Sequence, residues 1–256
     1  MSESKQRGSE WFRRAFEKVY LDLYAHRTDE AASQEVDKIS TWTKVDAALS
    51  APVLDLGCGN GRHAAAWSRK QLSVLGLDLS NDLIQEARAR RLANVLFLEG
   101  DMRHLSFDSY FQLVTSLFTS FGYFEDDAED LTVVVGVAKS LLPGGSFVLD
   151  FLNADYVRHH LVERSEERKK DLVVYQQRRI TADGKRVEKT ITMIRDDGWQ
   201  REHRESVRLY NEQDLQEMME EAGLVLDQRY GDFGGKPITP QSSRVILVAK
   251  KPEIRV

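Results

Sequence analysis

Large apolar residues fall at Trp11, Phe12, Ala15, Phe16, Val19, Tyr20 and Leu23, the i, i+3, i+4 rhythm of one helix face. A second helical rhythm runs through Ala32, Val36, Ile39, Trp42 and Leu49. After Pro52 the texture changes to short apolar runs at 53–56, 74–77, 95–98, 113–117 and 147–152, separated by Gly and Asp. Runs of this kind are the pattern of strands buried on both faces. Parallel neighbours need crossover connections, and the intervening segments are long enough to supply them as helices. The alternation predicts an α/β fold: a doubly wound, mostly parallel sheet with helices on both faces. Segments 224–230 and 244–249 read as two closing strands, which brings the sheet to seven.

Residues 132–137 are rich in β-branched side chains and by propensity alone favour a strand. Acidic residues at Asp126, Asp127 and Glu129 and the stop at Pro143-Gly144-Gly145 predict a helix instead. From about Tyr156 to Leu209 the βα rhythm breaks. Segments 172–180, 186–195 and 199–209 read as three antiparallel strands, with Asp183-Gly184 and Asp197-Gly198 as hairpin turns. Asn211 then caps an amphipathic helix carrying Leu215, Met218, Met219 and Ala222, which ends at Gly223. The expected organisation is a helical cap over residues 1–50, a main domain over 51–155 and 210–256, and an antiparallel insertion over 156–209 after the fifth strand.

The first apolar strand runs into Asp55-Leu56-Gly57-Cys58-Gly59-Asn60-Gly61-Arg62. Glycines at alternate positions let a ligand approach the turn backbone, and the helix that follows offers free N–H groups to a carboxylate or phosphate. The second strand ends in Leu77-Asp78, which places an acid where the ribose hydroxyls of a nucleotide-like ligand would sit. A dinucleotide fingerprint would need its third glycine at position 62, which holds Arg62, so NAD fits less well. After the third strand comes Glu99-Gly100-Asp101-Met102. Asp101 is placed to accept an adenine amino hydrogen, and the Met102 N–H to reach a ring nitrogen.

Composition narrows the class. The chain has 256 residues, 41% apolar and 30% charged, enough for one large domain or two small ones at roughly 100–200 residues each. A net charge of -5 offers no overall pull on nucleic acid or an anionic membrane surface. The single cysteine, Cys58, forms no internal disulfide and is expected to fill a small buried slot; no spacing suggests zinc or another metal. The start of the chain is charged, and no run approaches the 18 or so apolar residues that span a bilayer. The expectation is a cytoplasmic protein with no membrane partner.

The quoted segments resemble the class I S-adenosylmethionine-dependent methyltransferases. Asp55 to Gly61 match the family's first motif, Leu77-Asp78-Leu79-Ser80 its ribose-binding acid, and Gly100-Asp101-Met102 its adenine-binding segment. Leu142-Pro143-Gly144-Gly145 matches the turn before its fifth strand. The resemblance covers roughly residues 50–152 and implies a Rossmann-like fold with S-adenosyl-L-methionine as cofactor. The implied cofactor residues are Tyr20, Asp55, Gly57, Gly59, Gly61, Asp78, Leu79, Asp101, Met102 and Leu117. The insertion is similar to those of members acting on small molecules. After the fourth strand, Leu117-Phe118-Thr119-Ser120-Phe121-Gly122-Tyr123-Phe124 lacks an Asn-Pro-Pro-Tyr loop and a cysteine, which disfavours nucleobase methylation. This stretch resembles enzymes of amino sugars and other small metabolites, with Tyr123 as the catalytic candidate.

Further substrate candidates are Tyr24, Phe121, Asn153, His203 and Arg204. All carboxyl ends of parallel strands point to the ligand side. By that rule Asn153 and the glycine-rich turn at 231–235, expected to be a pliable rim, face the pocket. The leading function is methyl transfer to O or N of a small molecule. The alternatives are a tRNA or protein methyltransferase, disfavoured by the charge, and a module that binds the cofactor without catalysis. The insertion either roofs the pocket or forms a homodimer interface.

Overall fold

A computed structural model of the chain describes residues 28–169 and 171–253. The first elements alternate: α1 (Asp29–Thr43), β1 (Val53–Leu56), α2 (Arg62–Arg69), β2 (Val74–Asp78), α3 (Asn81–Ala89) and β3 (Val95–Glu99). A single 3₁₀ turn, Met102–His104, replaces a helix before β4 (Phe111–Ser116), α4 (Asp127–Ser140), β5 (Leu141–Leu152) and α5 (Ala154–His160). Then come β6 (Arg164–Lys169), β7 (Leu172–Ile180), β8 (Arg186–Arg195) and β9 (Gln200–Arg208). The chain closes with α6 (Glu212–Glu221), β10 (Val225–Tyr230) and β11 (Arg244–Lys250). Seven strands form one sheet in the order β10-β11-β5-β4-β1-β2-β3. β11 runs antiparallel to both of its neighbours.

Successive side chains of a strand point to opposite faces, so each inner strand feeds two cores. Leu54, Leu56, Val114, Phe147 and Leu149 pack with Val133, Val137, Leu215 and Met219 of α4 and α6. Val53, Leu113 and Val148 pack on the other side, with Val36, Ile39, Trp67, Ile84 and Ala87 of α1 to α3. Each fully buried large side chain contributes roughly 1.5–3 kcal/mol. The helix over 132–137 forms as predicted, because a capping box between Asp126 and Glu129 starts it and its valines meet the sheet. Among the described residues no helix is long and apolar enough to cross a membrane.

The insertion holds a second sheet, in the order β6-β7-β8-β9, all antiparallel. It has four strands where three were expected. β6 carries no apolar residue and is recruited by backbone pairing to β7. Its own core is three residues, Val174, Ile191 and Met193, with Leu172 and Trp199 against them. Val187 and Val207 instead pack into the main core, so the root of the insertion is part of the larger body. Two boundaries also differ. The second helical rhythm stops at Thr43 with Lys44 in a left-handed cap, leaving Leu49 exposed beyond the helix. β5 starts six residues early, at Leu141, and shifts register through the Pro143-Gly144-Gly145 turn. The expected helix over Trp11 to Leu23 lies outside the described residues.

Candidate active site

The carboxyl edge of β1 and the turn into α2 form the first wall. Asp55 is 2% exposed; its Oδ1 accepts the Thr115 hydroxyl at 3.2 Å, and its Oδ2 is buried with no hydrogen-bond partner. Burial raises its pKa, against which His63 and the Thr115 hydroxyl act. His63 Nε2 in turn donates to Glu35 of α1 at 2.7 Å. Gly57, Gly59 and Gly61 all have positive φ, which favours glycine. Their surroundings differ in kind. A Cβ on Gly57 would strike Ser120 at 2.6 Å, and one on Gly61 would strike Phe97 at 2.6 Å. A Cβ on Gly59 would meet only Leu83, at 4.0 Å. Packing therefore explains the first and third glycines, whereas at Gly59 the chain leaves space open.

Asp78, at the end of β2, accepts the Gly59 N–H at 2.8 Å and the Ser80 N–H at 2.9 Å. Burial raises its pKa, and those two N–H groups oppose the shift. Leu79 and Met102 are half-buried against the core on this side, and Met102 Cε lies 3.7 Å from where a Gly57 Cβ would stand. Leu117 is buried at the end of β4. Asp101 has a partner within the chain: Arg103 donates to it from Nε, Nη2 and its backbone N–H. Desolvation raises the pKa of Asp101, but these Arg103 bonds outweigh it and the net shift is downward. Arg103 also pairs with Glu129 and lies over the Phe124 ring.

After β4 the backbone does something no sequence pattern announced. Phe118 and Thr119 adopt φ of 57° and 59°, two successive non-glycine residues in the left-handed region. Asp150, fully buried, holds them there: Phe118 N–H donates to its Oδ2 at 2.8 Å and Thr119 N–H to its carbonyl at 3.0 Å. Arg244 neutralises Asp150 and, with Arg62, flanks the Phe118 ring. Ser120 Oγ lies 2.8 Å from the Leu117 carbonyl and 3.3 Å from the Gly57 carbonyl, so its single proton is shared between this loop and the glycine turn. The substrate candidate Phe121 is a core side chain, 1% exposed between Phe151 and Tyr210. Tyr123 is half-buried against the same core.

Asp55, the glycine turn, Asp78, Leu79, Met102, Leu117 and Ser120 thus meet at one edge. An orphaned carboxylate oxygen, an open face at Gly59 and a helix start with no side-chain cap fit a polar, nucleotide-like ligand with a charged tail. Residues 53–145 match the family described as Methyltransferase domain. That stretch is similar to a methyltransferase domain. The chain is 33% identical over 134 residues to the cypemycin N-terminal methyltransferase of a Streptomyces species, covering 48% of this chain and 55% of that protein. It is 31% identical over 132 residues to the dTDP-3-amino-3,4,6-trideoxy-alpha-D-glucopyranose N,N-dimethyltransferase of Streptomyces venezuelae, covering 52% and 55%. It thus spans about half the length of these curated relatives. The CcbJ methyltransferase of Streptomyces caelestis shares the fold, with a TM-score of 0.78 at 20% identity over 93% of this chain and 97% of that one.

Other predicted residues lie away from the ligand edge of this domain or serve its scaffold. Asn153 is a pin: its amide donates to the Thr239 and Ser242 carbonyls, and its Oδ1 caps α5. The 231–235 turn, expected as a rim, is braced at two points. It is closed by the Gly231 N–H to Lys236 carbonyl bond at 2.7 Å, and Trp42 stacks on Tyr230 and Phe233. On β9, His203 faces inward 3.6 Å from Glu205, while Arg204 faces outward with Glu202. Tyr20 and Tyr24 lie outside the described residues. An open cleft of about 710 Å³ sits between α4, α6 and the insertion, lined by Asp127, Arg158, Lys185 and Tyr210 among others. It shares no residue with the glycine turn or the three strand-end acids. Cys58 is buried, which pushes its thiol up and keeps it inert. Among the described residues no group of His, Cys, Asp and Glu is placed to hold a metal.

Proposed function

We propose that the protein transfers methyl from S-adenosylmethionine to an amine nitrogen of a small molecule. The observation that carries the cofactor reading is Gly59: left-handed, hydrogen-bonded to Asp78, and facing space that the chain itself leaves open. The nitrogen acceptor rests on the two Streptomyces relatives, whose names place the methyl on an amino group.

S-adenosylmethionine supplies a methyl activated on a sulfonium, which moves in line to a nucleophile. The chain's part is to hold the partners on axis, where positioning is worth several kcal/mol. In this reading the glycine turn and the start of α2 receive the amino-acid tail, with Asp55 Oδ2 accepting from its ammonium. Asp78 accepts from the ribose hydroxyls. Leu79, Met102 and Leu117 wall the apolar faces, and Asp101 closes the adenine end from its Arg103-bound position. Tyr123 borders the acceptor. A neutral amine attacks through its lone pair and needs no general base in the chain.

The test is thermal unfolding with S-adenosylmethionine or S-adenosylhomocysteine at about 100 times Kd, where a native-state ligand adds about 2.7 kcal/mol. A rise with either nucleoside, together with label transfer from methyl-labelled cofactor to amine-bearing metabolites, is the expected result. A rise with NAD and none with the methionine nucleosides overturns the reading.

A further inference from the structure

Three successive carbonyls in the loop after β4, those of Gly122, Tyr123 and Phe124, face the root of the insertion. A half-buried loop must satisfy such groups or lose stability. One side chain from the insertion does so. Arg186, at the start of β8, donates from Nη1 to Phe124 O at 2.8 Å, and from Nη2 to Tyr123 O at 3.2 Å and Gly122 O at 3.5 Å. The same guanidinium donates to Ser206 of β9, from Nε to its Oγ at 2.8 Å and from Nη2 to its carbonyl at 3.0 Å. The fork makes five contacts, two to the insertion and three to the loop, with the two Nη2 hydrogens shared among three carbonyls. A lysine, with one point of charge, cannot bridge both sides.

The neighbourhood makes this anchor rigid. The Arg208 N–H donates to Gly122 O at 2.8 Å, so β9 itself holds the loop at one further point. Gly122 has φ of 81°, and a Cβ there would stand 3.1 Å from the Phe151 ring, so the loop is pressed against the core. Asp130 and Asp127 supply the negative charge that offsets Arg186, and Arg208 opposes it. On the far side of the loop, Ser120 fastens it to the glycine turn.

We propose that Arg186 is a positioning residue: it locks the 122–124 carbonyls to the root of the insertion and thereby sets the position of the Tyr123 ring, which packs half-buried against the core. The insertion then acts on methyl transfer chiefly through this guanidinium, with the Arg208 N–H as a second tie to Gly122. The inference rests on the reading above, in which this loop faces the acceptor, and the two are separable by experiment.

The experiment labels Tyr123 with 3-fluorotyrosine and follows its fluorine resonance in the full chain, wild-type, Arg186→Ala and Arg186→Lys. Affinity for S-adenosylhomocysteine is measured alongside. In both variants the resonance is expected to shift and broaden while the affinity stays within about threefold. If Arg186→Ala does not fold, Ser206→Ala, which removes one acceptor of the same fork, is expected to move the resonance in the same direction by a smaller amount. An unchanged resonance in a folded Arg186 variant overturns the proposal, as does a loss of nucleoside affinity above tenfold, which would make Arg186 a support of the whole domain. Failure of the wild-type to bind S-adenosylhomocysteine overturns the cofactor reading instead and leaves the Tyr123 resonance as the measure of the anchor.

Discussion

Gly59 and Gly61 are two residues apart, share a left-handed backbone and invite opposite outcomes on substitution. Gly61→Ala drives a methyl into Phe97 and should cost several kcal/mol of stability, because overpacking of about 1–3 kcal/mol adds to left-handed strain of about 1–2 kcal/mol. Gly59→Ala meets nothing within the chain closer than 4.0 Å, so it should cost only the strain. Its effect should fall on S-adenosylhomocysteine affinity, at least tenfold by calorimetric titration. Equal losses of stability in the two variants would show that Gly59 is a packing glycine as well. Asp78→Ala should weaken the nucleoside by about 1–3 kcal/mol, the usual value of a charge-assisted hydrogen bond. It should also lower the melting temperature, since the carboxylate holds the Gly59 and Ser80 amides. These residues were legible because glycines and strand-end acids leave a pattern in the chain. The left-handed pair Phe118 and Thr119 was not, because neither residue type signals a positive φ; Asp150, paired with Arg244 and distant in sequence, holds the pair there.

At the scale of elements, the helix over 132–137 was readable against its propensity because its ends are encoded locally, in the Asp126 and Glu129 capping box. β6 was unreadable for the converse reason. Its residues, Arg-Ser-Glu-Glu-Arg-Lys, carry no apolar period, and the strand exists only as a backbone partner for β7. Asn153 shows the same limit at a site: the carboxyl-edge rule placed it near the pocket, but its amide was already committed to the 239–242 segment. Asn153→Ala removes the donor to the Ser242 carbonyl, one of the two donors to the Thr239 carbonyl and the cap of α5, and should destabilise the protein by about 1–3 kcal/mol. Nucleoside affinity should stay within about threefold, and a change confined to affinity would return Asn153 to the binding site.

For the whole molecule, the charge balance at the junction of the two sheets predicts how stability depends on pH. Asp130 is fully buried on α4, and Tyr210 OH lies 2.9 Å from both its Oδ2 and Asp127 Oδ1. One phenolic proton serves one carboxylate at a time, so a proton on Asp130 completes the set: Asp130 donates to Tyr210, and Tyr210 donates to Asp127. Burial pushes the Asp130 carboxyl up to about 7, with Tyr210 and Arg186 acting against the shift. Burial also raises Asp55 and Asp78. Asp29, Asp101, Asp183, Asp227 and Asp232 are lowered, so their stabilisation is complete above about pH 4 and is lost only below it. Between about pH 4 and 7 the unfolded chain has ionised its carboxylates while folded Asp130 keeps its proton. Folding takes up a proton in that window, so stability falls as pH rises through it, by at most about 4 kcal/mol from this group, and levels off above 7. Urea unfolding at pH 5.5 and 7.5 should therefore show the wild-type more stable at the lower pH. Asp130→Asn, which keeps an acceptor for Tyr210 and has no proton to lose, should shrink that difference. An identical pH slope in the two proteins would place the titration at Asp55 and Asp78, on the cofactor edge, and an excess of S-adenosylhomocysteine would then change the slope where it leaves the Asp130 contribution untouched.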